Sequence, residues 1–161
     1  MSWSIINFTG EELVRLAVEI EKAGKLFYDK AVKLADDADA RAMLIYLAGE
    51  EEKHIADFEK LGERLKKEVV PNESYIGEYG DYLKSIIDSH VFNLNNVEDL
   101  VKDIKTFREA LAIAFRFEKD SIMIFQEFQN AVEETGKEVI AMLIDEEKEH
   151  LKKIANLNKL H

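Results

Sequence analysis

The chain contains one proline in 161 residues, Pro71, and only seven glycines. Proline inside a helix removes a backbone hydrogen bond and clashes with the preceding turn, and glycine weakens a helix through its backbone entropy. With so few helix-breaking residues, long helices can form on both sides of Pro71. Apolar residues recur every three or four positions through both halves, which predicts amphipathic helices. The expected fold class is therefore all-α.

Two capping boxes mark helix starts. Thr9 is followed by Glu12, and Thr106 by Glu109, the spacing at which a threonine and a glutamate cap each other's backbone amides. The predicted helices run from the Thr9 cap to about residue 37, from about residue 41 to 67, from the Thr106 cap to about residue 133, and, after a break at Gly136, nearly to the C-terminus.

A bridge of roughly 35 residues joins the second predicted helix to the third. Segments 79–88 and 96–104 of this bridge predict short helices. Short loops make each flanking helix pair antiparallel, and one long connection between two such pairs is the topology of a four-helix bundle with a crossover. We expect residues 1–161 to form a single domain of this kind.

Composition excludes several classes of function. The chain carries 22 basic and 33 acidic residues, a net charge of −11, so neither a nucleic acid nor an anionic membrane is an expected partner. The sequence has no cysteine, which excludes disulfides, thiolate nucleophiles, iron–sulfur clusters and cysteine-bound zinc. Its start does not have the pattern of a signal peptide, and we expect a cytoplasmic location.

The two helix pairs repeat each other. "AVEIEKAGKLFYDKA" aligns with "AFRFEKDSIMIFQEF", which places Glu21 over Glu118, and "LAGEEEKHIADFEKL" aligns with "LIDEEKEHLKKIANL". The second alignment places Glu51 over Glu147 and His54 over His150. In both halves these residues lie on or beside the apolar stripes that face the core.

Four glutamates directed into one core indicate metal binding. A buried, unpaired carboxylate costs several kcal/mol or becomes protonated, and no lysine or arginine recurs at matching positions to pair with these. Two divalent cations would balance the four charges, and residues three apart on a helix can reach one ion. Imidazole and carboxylate ligands without thiolate suit iron or manganese, and zinc can also bind. The predicted ligands are Glu21, Glu51, His54, Glu118, Glu147 and His150.

One choice is left open by the pattern. Glu50 and Glu146 also recur in the two halves, directly before Glu51 and Glu147. We interpret them as outward-facing or as hydrogen-bond partners of the ligands, but a shift of one position would exchange their roles. His90 has no second histidine nearby in the sequence and is interpreted as a polar residue of the bridge.

The segments "EIEKAGKLFY", "LAGEEEKHIADF", "RFEKDSIMIF" and "LIDEEKEHLKKI" resemble the rubrerythrin family of ferritin-like proteins, over both helix pairs. This resemblance implies a ferritin-like four-helix bundle in which the six predicted ligands hold two iron ions. It also implies that Tyr28 donates a hydrogen bond near the site, where Phe125 stands in the other half.

Two departures from the family are visible. Rubrerythrins have a further carboxylate three residues after the third-helix ligand, and here that position is Ser121. They also carry a rubredoxin domain with four cysteines, which this chain lacks, so it would be a stand-alone di-iron domain. The resemblance therefore implies an external electron donor such as a rubredoxin.

The expected function is that of a di-iron oxidoreductase that reduces hydrogen peroxide, or oxygen, in defence against oxidative stress. A homodimer is the expected assembly. Two alternatives remain at this stage. One is iron handling, as a ferroxidase or an iron-binding or storage protein, and the other is a structural bundle without a functional metal.

Overall fold

The structure is a computed structural model that describes residues 9–65, 77–93, 97–132 and 134–161. Short 3₁₀ turns, Val32–Leu34 and Gln129–Ala131, follow the first and the fifth helix. The helices are α1 (Gly10–Ala31), α2 (Ala38–Leu65), α3 (Glu78–Ser89), α4 (Val97–Asp103), α5 (Phe107–Phe128) and α6 (Glu134–Leu160).

Four of these helices form the bundle and two belong to the bridge. Helix α1 packs mainly against α2, and α5 packs mainly against α6, while α1–α5 and α2–α6 contacts join the two pairs. In the bridge, α4 lies on α1 and α3 lies on α5. This is the predicted all-α architecture of two antiparallel pairs connected by a crossover that contains short helices.

Both predicted capping boxes are present. The hydroxyl of Thr9 accepts from the amide of Glu12, whose carboxylate accepts from the amide of Thr9. Thr106 and Glu109 repeat the arrangement at the start of α5. These reciprocal bonds satisfy amides that a helix leaves unpaired in its first turn.

Four predicted boundaries were wrong, and the predicted end of the second helix at about residue 67 lies outside the described residues. Helix α1 ends at Ala31 instead of running to about residue 37. Helix α2 begins at Ala38, because Oδ1 of Asp37 accepts from the amide of Ala40 at 2.8 Å and starts the helix earlier than predicted. Helix α5 ends at Phe128 instead of running to about residue 133. The break before α6 lies at the extended Val132, and Gly136 is inside the first turn of α6. A Cβ at this glycine would lie 3.1 Å from the Val132 side chain, so the close packing accounts for glycine here.

Aromatic side chains fill the core around the middle of the bundle. Phe27 and Tyr28 of α1 meet edge to face, and Tyr28 meets Phe117 of α5 in the same way at 6.1 Å between ring centroids. Phe58 of α2 packs on Phe125 of α5 at 5.0 Å. All five rings are fully buried, so water is excluded from the level of the bundle at which the predicted ligands lie.

Gly24 lets α1 approach α5 at this level. A Cβ on Gly24 would lie 2.3 Å from the Phe117 ring. We expect Gly24→Ala to lower the free energy of unfolding by about 1–3 kcal/mol through overpacking, as measured by chemical denaturation. Gly49 of α2 is the matched control, since a Cβ there would meet no atom within 4 Å. Gly49→Ala should raise stability by about 0.5–1 kcal/mol, and equal effects of the two substitutions would contradict the packing argument.

Candidate metal centre

The six predicted ligands meet at one level in the centre of the bundle. Glu21 projects from α1 and Glu118 from α5, while α2 and α6 each contribute a glutamate and the histidine three residues later. Every one of the six side chains is buried, with at most 1% of its surface exposed. Their depth follows from the heptad-like placement of each residue among the apolar positions of its helix.

The donor atoms form two overlapping groups of four. One group contains Glu21, Glu51, His54 and Glu147, and the other contains Glu51, Glu118, Glu147 and His150. Within each group, one donor atom from every residue lies within 4.8 Å of the others. Two residues, Glu51 and Glu147, belong to both groups. The cluster can therefore hold two cations side by side, with these two carboxylates shared between them.

Both imidazoles direct the same nitrogen into the cluster. Nδ1 of His54 lies 2.7 Å from Glu147 and 3.4 Å from Glu21. Nδ1 of His150 lies 2.9 Å from Glu147 and 3.6 Å from Glu118. The two rings face each other, with 5.4 Å between their centroids and 18° between their planes. This near-parallel arrangement reflects the internal repeat of the sequence.

Several buried donor atoms of the cluster have no hydrogen-bond partner within the described residues. They are both carboxylate oxygens of Glu21 and of Glu51, Oε2 of Glu118, Oε1 of Glu147 and Nδ1 of His54. The short contact between His54 and Glu147 does not have hydrogen-bond geometry, since both atoms are among them. Buried polar atoms are rarely left unpaired. Oxygen and imidazole donors converging in this way fit a pair of divalent cations.

The carboxyl groups of the metal-free cluster have displaced pKa values. Burial, followed by repulsion from Glu147, raises the pKa of Glu118 to about 8. Burial and the neighbouring carboxylates also raise the pKa of Glu21 and Glu51 well above the ordinary value. Glu147 differs: burial raises its pKa, but the two adjacent histidines outweigh burial and lower it below the usual range. Without cations, the cluster compensates its crowding by holding protons.

The pKa values of the two imidazoles are raised, although burial by itself would lower them. Burial alone would lower the pKa of His54 and His150, but close carboxylates, Glu147 foremost for His54 and Glu118 for His150, raise both pKa values to about 10. Metal ions bind the deprotonated forms of these groups. Binding of cations should therefore release protons from the cluster.

The stability of the metal-free protein should fall as the pH rises. A group whose pKa is raised by folding stabilises the fold below its unfolded pKa, and this contribution is lost as the pH passes its folded pKa. His54 and His150 lose their stabilising contribution between pH 6.5 and about pH 10. Glu118 loses its contribution between pH 4.5 and about pH 8. Thermal melting of chelator-treated protein across this range measures it. A melting temperature that rises with pH would contradict the assignment, and metal-loaded protein is the control, with a smaller fall.

Tyr28 lies beside the cluster. Its buried hydroxyl donates a hydrogen bond to Oε1 of Glu118. Phe125, the equivalent residue of the other half, offers no hydroxyl. The phenol thus bonds one of the four glutamates, and among the described residues no hydroxyl bonds Glu21 in the same way.

The structure separates the neighbouring glutamates that the sequence left open. Glu51 and Glu147 face the cluster, whereas Glu50 forms an ion pair with Lys53 of its own helix. Glu146 has 45% of its side chain exposed, but its Oε2 lies 2.9 Å from Nε2 of His54 on α2. Glu146 is therefore a hydrogen-bond partner of one imidazole, on the side away from the cluster.

His90 lies in the bridge, directly after α3, and its side chain contacts α5 of the bundle. It is buried, and burial followed by the charge of Arg116 lowers its pKa to about 3, which keeps the ring neutral. Its Nδ1 accepts from the amide of Phe92, so Nε2 carries the proton and donates to Oγ of Ser121 at 3.2 Å. Ser121 stands one turn after Glu118 on α5, so His90 reaches the helix face that carries this glutamate. The partners are 31 residues apart, and no local sequence signal links them.

An open pocket of about 400 Å³ lies between α2 and α6, outside the cluster. His150 forms part of its wall, and the acidic residues Glu50, Asp145, Glu146 and Glu149 line it together with Lys153. The cluster thus lies close beneath a negatively charged surface, which would raise the local concentration of cations.

None of the helices that the structure describes has both the length and the apolar character needed to cross a membrane.

Comparisons with known proteins address the fold. No family model matches the chain, and no curated protein matches it. The crystal structure of a candidate ferritin-like diiron-carboxylate protein from Thermotoga maritima matches with a TM-score of 0.71 and 21% sequence identity, over 97% of this chain and 98% of that one. At this identity the likeness concerns the fold alone. The chain thus has the fold of a ferritin-like helical bundle, as the sequence predicted.

Proposed function

We propose that this protein binds a pair of iron ions and acts as a di-iron oxidoreductase that reduces hydrogen peroxide or oxygen. This is the activity that the resemblance of its sequence to rubrerythrins implies. One observation carries the proposal: four carboxylates and two imidazoles, all buried, form two donor groups that share two glutamates. The neighbour from Thermotoga maritima, named for a diiron-carboxylate centre, supports this. Manganese or zinc would also be compatible with these ligands.

Each residue of the cluster would have a defined role. Glu51 and Glu147, which belong to both groups, would help to hold both ions, while Glu21 and Glu118 would each help to hold one. His54 and His150 would provide neutral donors through Nδ1. The four negative charges of the carboxylates would balance the four positive charges of two divalent cations, which would remove the electrostatic cost of burying the carboxylates.

The surrounding residues would prepare the site for redox chemistry. Bound as a pair, the iron ions would supply the Lewis acidity and the two electrons that reduction of hydrogen peroxide to water requires. The aromatic core around Tyr28 and Phe117 excludes water, and the Tyr28 hydroxyl orients Glu118 through its hydrogen bond. Because the chain has no cysteine, the electrons that restore the reduced state would come from a donor outside these 161 residues, such as a rubredoxin.

Anaerobic titration with Fe(II), followed by rapid mixing with hydrogen peroxide or oxygen, tests the proposal. We expect two Fe(II) ions per chain and rapid loss of peroxide while absorbance reports oxidation of the iron. Repeated turnover should occur once an external reductant is added. Absence of Fe(II) binding would overturn the metal site and favour a structural bundle, and binding without peroxide or oxygen consumption would overturn the oxidoreductase function.

Iron handling is the second candidate function, and the acidic pocket beside His150 favours it. Asp145, Glu146 and Glu149 line a surface that can attract Fe(II) as a substrate close to the cluster. Under this alternative, oxygen would oxidise Fe(II) faster than peroxide does, and Fe(III) would then leave the site or accumulate. The same mixing experiment distinguishes the two, since an oxidoreductase retains its iron through successive turnovers.

We also propose that the protein is a homodimer. Large apolar side chains remain exposed at equivalent positions of the two halves, namely Leu26 with Met123 and Tyr46 with Met142, each between 38% and 52% exposed. Exposed apolar surface of this kind is typical of contacts between subunits. Light scattering after size-exclusion chromatography measures the mass. A particle of 18.5 kDa, the mass of one chain, would contradict the dimer.

A further inference from the structure

The internal repeat relates the two halves of the cluster, yet their outer contacts differ. Nε2 of His54 lies 2.9 Å from Oε2 of Glu146. The residue equivalent to Glu146 in the other half is Glu50, but every carboxylate contact within 4.0 Å that the structure describes for His150 is made by Nδ1. The outer nitrogen of His54 therefore has an anionic partner that the outer nitrogen of His150 lacks among the described residues.

A difference in charge between the repeated segments contributes to the asymmetry. Three residues after Glu50 stands Lys53, and the two form an ion pair on the surface of α2. Three residues after Glu146 stands Glu149 instead, which pairs with Lys152. Residues at this spacing are neighbours on a helix. Lys53 thus holds Glu50 on its own helix, whereas Glu146 has no cation at the equivalent position and extends towards α2.

Such outer contacts tune a metal ligand. A carboxylate that accepts the outer N–H of an imidazole fixes the ring orientation and makes the inner nitrogen a stronger donor, and its loss typically costs about 10- to 100-fold in metal affinity. Tyr28 acts in the opposite sense in the other group, because its hydroxyl donates to Glu118 and withdraws charge from that oxygen. Both differences favour the group that contains His54 and Glu21.

We propose that the two metal positions are inequivalent, and that Glu146 makes the position of His54 the one that binds its ion first and more tightly. This inference rests on the proposed two-metal site. Glu146 is a positioning residue, since it touches the imidazole and not the donor cluster. With one ion per chain, the protein would hold that ion between Glu21 and His54, and the position of His150 would fill second.

Titration with Zn(II), followed by NMR of protein labelled with ¹⁵N at histidine, tests the order of binding. The Nδ1 resonance of a histidine moves when it coordinates zinc, and single-histidine variants assign the peaks. We expect the His54 resonance to move with the first equivalent and the His150 resonance with the second. In Glu146→Gln, which keeps a hydrogen-bond acceptor but removes the charge, the affinity of the first step should fall by about 10- to 100-fold, and the two resonances should move together.

Two further variants are matched to this one. Glu50→Gln removes the equivalent carboxylate of the other half and the same charge from the acidic pocket, so it should weaken the first step far less than Glu146→Gln does and leave the order of binding unchanged. Glu149→Lys introduces the cation that stands at Lys53 in the other half, so it should draw Glu146 away from His54 and reproduce part of the Glu146→Gln effect. Because 45% of the Glu146 side chain is exposed, these surface changes should not prevent folding.

The outcomes separate this inference from the proposed function. Simultaneous movement of both resonances in the wild-type protein, or equal effects of Glu146→Gln and Glu50→Gln, would overturn the inequivalence while leaving the two-metal site intact. Failure of both resonances to move at two equivalents of Zn(II) would instead count against the metal site itself.

Discussion

Replacing Glu51 by glutamine should abolish binding of both metal ions and at the same time stabilise the metal-free protein. Glu51 belongs to both donor groups, so its loss removes one ligand from each ion. The loss of affinity should exceed the 10- to 100-fold that removal of an outer hydrogen-bond partner typically causes. Calorimetric titration with Fe(II) under anaerobic conditions measures the change at both positions.

The stabilisation of the metal-free form has a separate cause. Burial and neighbouring carboxylates raise the pKa of Glu51 well above its ordinary value, so ionising this carboxyl group in the folded, metal-free protein costs free energy that the unfolded chain does not incur. Each pH unit above the ordinary pKa costs about 1.4 kcal/mol for such a group. Glutamine has the same shape and no charge, and the free energy of unfolding should rise by about 1–3 kcal/mol.

Glu52→Gln is the matched control for this variant. Glu52 is the next residue of α2, is exposed, and corresponds to Lys148 in the other half. Its substitution should change stability by no more than about 0.5 kcal/mol and leave metal binding intact. A Glu51→Gln variant that still bound two ions, or whose metal-free form was less stable than the wild type, would contradict the role assigned to the cluster.

Loading the protein with two metal ions should raise its melting temperature strongly. A ligand that binds only the folded state stabilises it by about 4 kcal/mol when present at a thousand times its dissociation constant. For a chain of this size, 1 kcal/mol shifts the melting temperature by about 2–4 °C, so even one saturated position should add about 8–16 °C. Differential scanning calorimetry with Fe(II), and again after chelation, measures the shift.

The size of this effect depends on the protons that the cations replace. The metal-free cluster holds extra protons that the cations must displace, so metal affinity should be higher at pH 8 than at pH 6. The shift in melting temperature should therefore also be larger at pH 8. A Glu51→Gln protein treated in the same way should show little shift. If saturating metal raised the melting temperature of the wild type by less than about 2 °C, the result would contradict specific binding of two metal ions.

The internal repeat accounts for most of what the sequence revealed about the site. Because helix period and apolar pattern are local properties, the offset between the halves was enough to place Glu21 with Glu118 and His54 with His150. The structure places these residues together with Glu51 and Glu147 in two overlapping groups at the centre of the bundle. The fold class was predictable from the helical period and the scarcity of proline, and the crossover from the lengths of the short and long connections.

Other features depend on contacts that the sequence does not encode locally. Adjacent glutamates lie 100° apart on a helix, so both Glu50 and Glu51 could be reconciled with a broad apolar stripe. The structure separates them, because Glu51 is buried in the cluster whereas Glu50 forms an ion pair with Lys53 of its own helix. The burial of His90 against Ser121 depends on how the bridge folds back on α5, which no helical period predicts.

Diffraction from crystals grown with excess Fe(II), with anomalous data collected at the iron edge, tests the central claim most directly. We expect two anomalous peaks between the four bundle helices. One should lie within coordination distance of Nδ1 of His54 and the other of His150, with Glu51 and Glu147 reaching both. A map without peaks between the helices, in which these glutamates turn towards bulk water, would contradict the account.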